Sequence, residues 1–158
     1  MGADLYLGRL FRENYDKHRG PFDKAIEERK TAGTDKERDV AQERVEELYD
    51  RMYSLGYFRD SYNNSSLFLK LELSWWEDFP RFTDVKDVNG VREQTVLTPK
   101  GAKALKKVVN NENRKEKFFK NIESEDKQGQ EYFIEKYKEL NAFLDTAIEK
   151  NIDVECSY

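Results

Sequence analysis

The stretch Tyr57–Trp76 reads YFRDSYNNSSLFLKLELSWW and holds six of the chain's 21 aromatic residues. Aromatic rings bring large apolar area with directional edges, so such a block is either the keystone of a core or a recognition surface. Its leucines permit two local structures. Leu67, Leu69, Leu71, Leu73 and Trp75 alternate as in a strand, whereas Leu67, Phe68, Leu71 and Trp75 fall on one helical face. Asn64 or Ser65 offers an N-cap directly upstream, and this predicts a helix over about 65–72. Trp75 and Trp76 are neighbours and point in different directions in either structure. One ring is therefore expected in the core and the other toward solvent or a partner.

Upstream of the block the pattern is helical. Leu7, Leu10, Phe11 and Tyr15 share a face, which predicts a helix over 8–18 after an extended lead-in carrying Leu5. Gly20-Pro21 then reads as the start of a second helix, with proline in the first turn, and Gly33 as its left-handed exit. Thr34-Asp35-Lys36-Glu37 has the form of a capping box. Ala41, Val45, Leu48, Met52 and Leu55 follow at spacings of three or four, up to Gly56.

Downstream, Val85 and Val88 precede Asn89-Gly90, a type I′ turn signal, and Val91, Val96 and Leu97 follow it, so a small β-hairpin is expected near 84–97. Thr98-Pro99 places an N-cap and a first-turn proline before Ala102, Leu105, Val108 and Val109. Asn110-Asn111 marks a break, Phe118, Phe119 and Ile122 carry a short helix, and Phe133, Tyr137, Leu140, Leu144 and Ile148 a long one over 129–150. The tail from Asp153 to Tyr158 reads as a frayed end. The expectation is a mostly α, single-domain helical bundle over 1–158, with five or six helices and the hairpin.

Charged residues make up 38% of the chain, against roughly 25% in an average globular protein. An aromatic core under a charged shell follows. No apolar run reaches the length of a membrane span or a signal-peptide core, and the lone Cys156 permits no internal disulfide. A soluble protein of the reducing cytoplasm, without a membrane partner, is the expectation. One histidine, His18, excludes a His-based metal triad, and the acidic positions Glu72, Glu77, Asp78, Asp84 and Asp87 match no calcium loop. No metal or cofactor is expected.

Three candidate sites remain. Tyr57, Arg59, Asp60, Tyr62 and Trp76 are the residues of a protein-binding surface. Arg59-Asp60-Ser61-Tyr62-Asn63 equally spells a catalytic loop, Arg59 clamping an anion and Asp60 acting as base; an Arg59–Asp60 structural tie is the favoured reading. Residues 99–120 carry eight basic and two acidic groups, a net of +6, which leaves −10 on the remainder of a chain whose net charge is −4. Lys100, Lys103 and Lys107 share a helix face, with Arg114 beyond, so a phosphate backbone could be tracked along it.

Two resemblances bear on this. Val96-Leu97-Thr98-Pro99-Lys100-Gly101, followed by Ala104-Leu105, resembles the turn after the wing in winged-helix regulators, which implies DNA binding. It covers about fifteen residues, and the segment upstream, Leu73 to Pro80, is acidic and proline-broken where a recognition helix should lie. Met1-Gly2-Ala3-Asp4-Leu5-Tyr6, Met52 to Asn63 and Leu73-Ser74-Trp75-Trp76 together resemble a group of small uncharacterised proteins of bacteria and their phages. That resemblance covers about the first eighty residues and implies a bacterial or phage source, with no chemistry attached. The expected function is a non-catalytic binding or adaptor protein with a protein partner. Nucleic-acid binding ranks second, and an enzyme with an Arg59, Asp60 and Tyr62 site third.

Overall fold

The computed structural model describes residues 3–88, 90 and 92–158. The fold is mostly α, with six helices and one antiparallel sheet of five short strands among the described residues. The chain forms two compact units, one of Gly8–Tyr57 and the other of the residues up to Leu7 with Phe58–Tyr158.

The first unit is a helical hairpin, α1 (Gly8–Thr31) and α2 (Asp35–Met52). Ala25 of α1 packs with Val45 and Leu48 of α2, flanked by Phe22 and Ile26. The turn is fixed by the expected capping box: Glu37 N–H donates to Thr34 Oγ1 at 3.2 Å, and Glu37 Oε2 accepts from Thr34 N–H at 3.1 Å. Asn14 Nδ2 donates to the carbonyls of Arg51 and Met52, at 2.8 and 3.1 Å, satisfying carbonyls that α2 leaves open at its C-terminus. Two expectations are corrected here. Pro21 lies inside α1, so one 24-residue helix stands where two are expected from the sequence. Proline interrupts only one ladder bond, and α1 is held to α2 on both sides of it, by Asn14 before and by Phe22, Ala25 and Ile26 after. Gly33 has no left-handed φ; its N–H instead donates to Glu37 Oε2 at 3.0 Å, joining the capping box.

The second unit contains β1 (Asp4–Tyr6), most of β2 (Tyr57–Arg59), α3 (Leu67–Lys70), a 3-10 turn (Phe79–Phe82), β3 (Asp84–Val88), β4 (Arg92–Leu97), α4 (Pro99–Val109), α5 (Glu112–Ile122), α6 (Lys127–Glu149) and β5 (Val154–Ser157). The strand order is β2-β1-β5-β4-β3. The expected hairpin is present as β3 and β4, with Val88 opposite Arg92; Asn89 and Val91 of the expected turn lie outside the described residues, as do Met1 and Gly2. The tail is not frayed. It forms β5, the central strand, which pairs Cys156 with Leu5 of β1 and Val154 with Leu97 of β4. Four residues carry too little pattern to announce a strand, and both partners are distant in sequence.

Helix α4 begins as its sequence indicates, with Thr98 Oγ1 accepting from Gly101 N–H at 3.2 Å. Its Ala102, Leu105 and Val109 are buried, and a polar seam ties it to α6: Lys106 pairs with Asp145, and Tyr137 OH donates to the Val109 carbonyl at 2.9 Å. A Cβ placed on Gly101 would stand 2.0 Å from the Phe82 carbonyl oxygen. Neither is a flexible side-chain end, so the 3-10 turn and α4 would have to separate. Gly101→Ala should lower stability by about 1–3 kcal/mol, read from chemical unfolding, while Gly20→Ala, in α1 with open space and no left-handed φ, should not lower it.

Burial pushes the Cys156 thiol up to about 12 from its ordinary 9.0. A native pKa above the unfolded value means that the protonated thiol's contribution is complete below pH 9 and is lost as pH rises from about 9 toward 12. Iodoacetamide at pH 8 should therefore modify Cys156 slowly in the native protein and fully in denaturant, as read by mass spectrometry.

Candidate functional site

The aromatic block Tyr57–Trp76 is organised by one buried carboxylate. Asp60 is fully buried. Its Oδ1 accepts from Leu67 N–H at 2.7 Å; its Oδ2 accepts from Ser66 Oγ at 2.7 Å, Trp75 Nε1 at 2.8 Å and Phe68 N–H at 3.3 Å. Its own N–H donates to the Ala3 carbonyl at 2.9 Å. Ser66, not Asn64 or Ser65, is the N-cap of α3: its hydroxyl accepts from Leu69 N–H at 3.2 Å while donating to Asp60. A carboxylate facing the first amides of a helix is favourable, because those N–H groups have no partner within the helix.

The chain then leaves α3 through a tight exit. Glu72 N–H donates to the Leu69 carbonyl and Leu73 N–H to the Phe68 carbonyl, with Glu72 at φ +53. This is a Schellman exit in which glutamate occupies the left-handed position usually given to glycine. Arg114 Nη1 donates to the carbonyls of Leu71 and Glu72 at 3.0 and 2.7 Å, fastening the exit to α5. Lys117 and Asn121 donate to the Glu72 carboxylate, and these bonds, Lys117's first, hold its pKa below the ordinary carboxylate value. Beyond the exit Trp75 turns inward and stacks on Phe68, centroids 3.6 Å apart at 19°, with Phe79 edge-on at 4.5 Å. Trp76 turns outward, 64% exposed against 9% for Trp75.

A groove of about 500 Å³ lies over this scaffold, bounded by Ser61–Asn64 on one side and Glu72–Asp78 on the other. Tyr62, Leu69 and Trp76 line it, and all three are exposed large apolar residues. Its polar lining comprises Ser61, Asn63, Asn64, Ser66 and Ser74 with the carboxylates Glu72, Glu77 and Asp78, and it contains no lysine or arginine.

Of the protein-binding residues read from sequence, the groove brings together Tyr62 and Trp76. Asp60 is corrected: it is buried beneath the groove and offers no surface. The Asp60 carboxylate is held by Ser66, Leu67, Phe68 and Trp75, and successive residues leaving a strand point to opposite sides. Arg59 Nε instead stands 3.8 Å from Asp4 Oδ1. Tyr57 packs in an aromatic cluster with Phe11 and Tyr53. The Arg59, Asp60 and Tyr62 cleft is therefore not assembled. Leu69 was missed although its signal was there: on a helix carrying Leu67, Phe68 and Leu71 inward, Leu69 is the residue left outside.

In the basic segment Lys100, Lys103 and Lys107 are exposed on α4. Arg114 is engaged with backbone carbonyls, Lys106 with Asp145 and Lys117 with Glu72, so three of the eight basic groups serve the fold. What precedes the β3–β4 hairpin is the four-residue 3-10 turn, too short to serve as a recognition helix. Among the described residues no cluster of three or more His, Cys, Asp or Glu is placed to hold a metal ion, and no helix is long and apolar enough to cross a membrane. Comparison with protein-family models, curated proteins and solved structures finds no match.

Proposed function

We propose that this chain is a non-catalytic binding module of the cytoplasm that holds a segment of another protein in the groove of Tyr62, Leu69 and Trp76. The observation that carries this is the exposure of three large apolar side chains around one groove, where scattered single exposures would need no explanation. The scaffold supports the same reading. The carboxylate best placed for chemistry, Asp60, is saturated by four donors that hold the groove floor, so its role is to pre-form the surface.

The exposed Lys100, Lys103 and Lys107 support a second reading, nucleic-acid binding. One experiment separates the two. Cross-linked partners are captured with the wild-type chain, with a Leu69→Glu/Trp76→Glu variant and with a Lys100→Glu/Lys103→Glu/Lys107→Glu variant, each first shown to be folded. A protein partner lost in the first variant and kept in the second is the expected result. Nucleic acid captured by the wild type and lost only in the lysine variant would overturn it.

A further inference from the structure

The groove's charges are not equally available. Glu72 pairs with Lys117 at 2.6 Å, and Asp78 stands 3.4 Å from Arg81 while accepting from Ser74 N–H at 2.8 Å. Both are already compensated. Glu77 is exposed, and its carboxylate has neither hydrogen bond nor ion pair among the described residues, although it lines the same groove as the exposed Trp76. With no lysine or arginine in the lining, the groove combines one uncompensated negative charge with the open rings of Tyr62 and Trp76.

Resting on the protein-binding reading above, we infer that the groove recognises a segment with an apolar anchor and one adjacent lysine or arginine. The anchor lies against Leu69 and Trp76, and the cation takes Glu77 as its counter-charge. Two physical terms favour this occupant. A cation near an indole face is attracted by the ring quadrupole, by about 0.5–1 kcal/mol at an exposed site. Charge complementarity across a rim acts chiefly on partner choice, so an acidic neighbour to the anchor is rejected where a basic one is accepted. A polybasic segment gains little over a single cation, because Glu72 and Asp78 are already held by this chain's own side chains.

The test is a displayed library of random peptides, about twelve residues long, selected separately on the wild-type protein, on Glu77→Lys and on Leu69→Ala/Trp76→Ala. The wild-type pool should be enriched in peptides carrying an aromatic or large aliphatic residue with lysine or arginine close by. The Glu77→Lys pool should keep the anchor and replace the cation by aspartate or glutamate. The double variant should enrich neither. A peptide synthesised from the wild-type pool should bind Glu77→Gln about two- to fivefold more weakly, the range of an exposed ion pair. Pools from wild type and Glu77→Lys with the same flanking charges would overturn the inference and leave the groove reading standing. Enrichment that survives Leu69→Ala/Trp76→Ala, or no enrichment on any of the three, would overturn both.

Discussion

Replacing Asp60 by alanine should lower the stability of the unit containing Phe58–Tyr158 by about 3–6 kcal/mol, one of the two largest effects expected of any single substitution. The carboxylate accepts four hydrogen bonds from donors that are buried or turned inward: the amides of Leu67 and Phe68, the Ser66 hydroxyl and the Trp75 indole. Alanine would strand these donors where water cannot reach all of them, and each stranded buried group costs about 1–3 kcal/mol. The terms do not simply add, because the short helix α3 can fray and resolvate some of its own amides. Asparagine should lose less than alanine, since one amide oxygen can still accept. Both tryptophans lie in this unit, so urea unfolding followed by tryptophan fluorescence reports on it directly. An Asp60→Ala variant as stable as wild type would show that the hub does not hold the block together.

This carboxylate also shows where sequence was legible and where it was not. The helical pattern of Ala41, Val45, Leu48 and Met52 is local, and so are the Thr34-Glu37 box and the Thr98-Pro99 start, and all of them stand in the structure as read. Each is decided by residues within one or two turns of one another. Asp60 was visible as a charge beside Arg59, and adjacency in sequence suggested a pair. Its real partners are six to fifteen residues away and depend on α3 folding back over it. The same limit hid β5. Val154 and Cys156 acquire meaning only opposite Leu97 and Leu5, and nothing near the tail encodes either neighbour. Pro21 failed for the opposite reason. The local rule that proline begins a helix was outweighed by contacts with α2 on both sides of it, and α1 runs through.

Of the candidate site, the aromatic content was legible and its division was not. That the two rings would face different ways followed from their adjacency, and a buried ring from the stripe shared with Leu67 and Leu71, but the division rests on the turn after α3, where Glu72 takes a left-handed conformation that its residue type does not announce. Leu69 and Glu77 became site residues through the same turn. It sets α3 and the 72–78 segment against each other and opens the groove between them.

The two tryptophans should therefore separate stability from binding. Trp75→Ala should lower stability by about 3–5 kcal/mol, because it removes a ring stacked on Phe68 and edge-on to Phe79 and takes from Asp60 one of its four donors. Trp75→Phe should recover most of this, since a ring can still stack, and should retain a deficit of about 1 kcal/mol from the lost indole N–H. Trp76→Ala should change stability by no more than about 0.5 kcal/mol, as an exposed side chain with the Tyr158 ring 5.7 Å away. It should nonetheless abolish selection of peptides by the groove. The contrast is measured by urea unfolding and peptide binding on the same preparations. A Trp76→Ala variant destabilised as much as Trp75→Ala would make the outer ring part of the core and remove the anchor on which the binding surface rests.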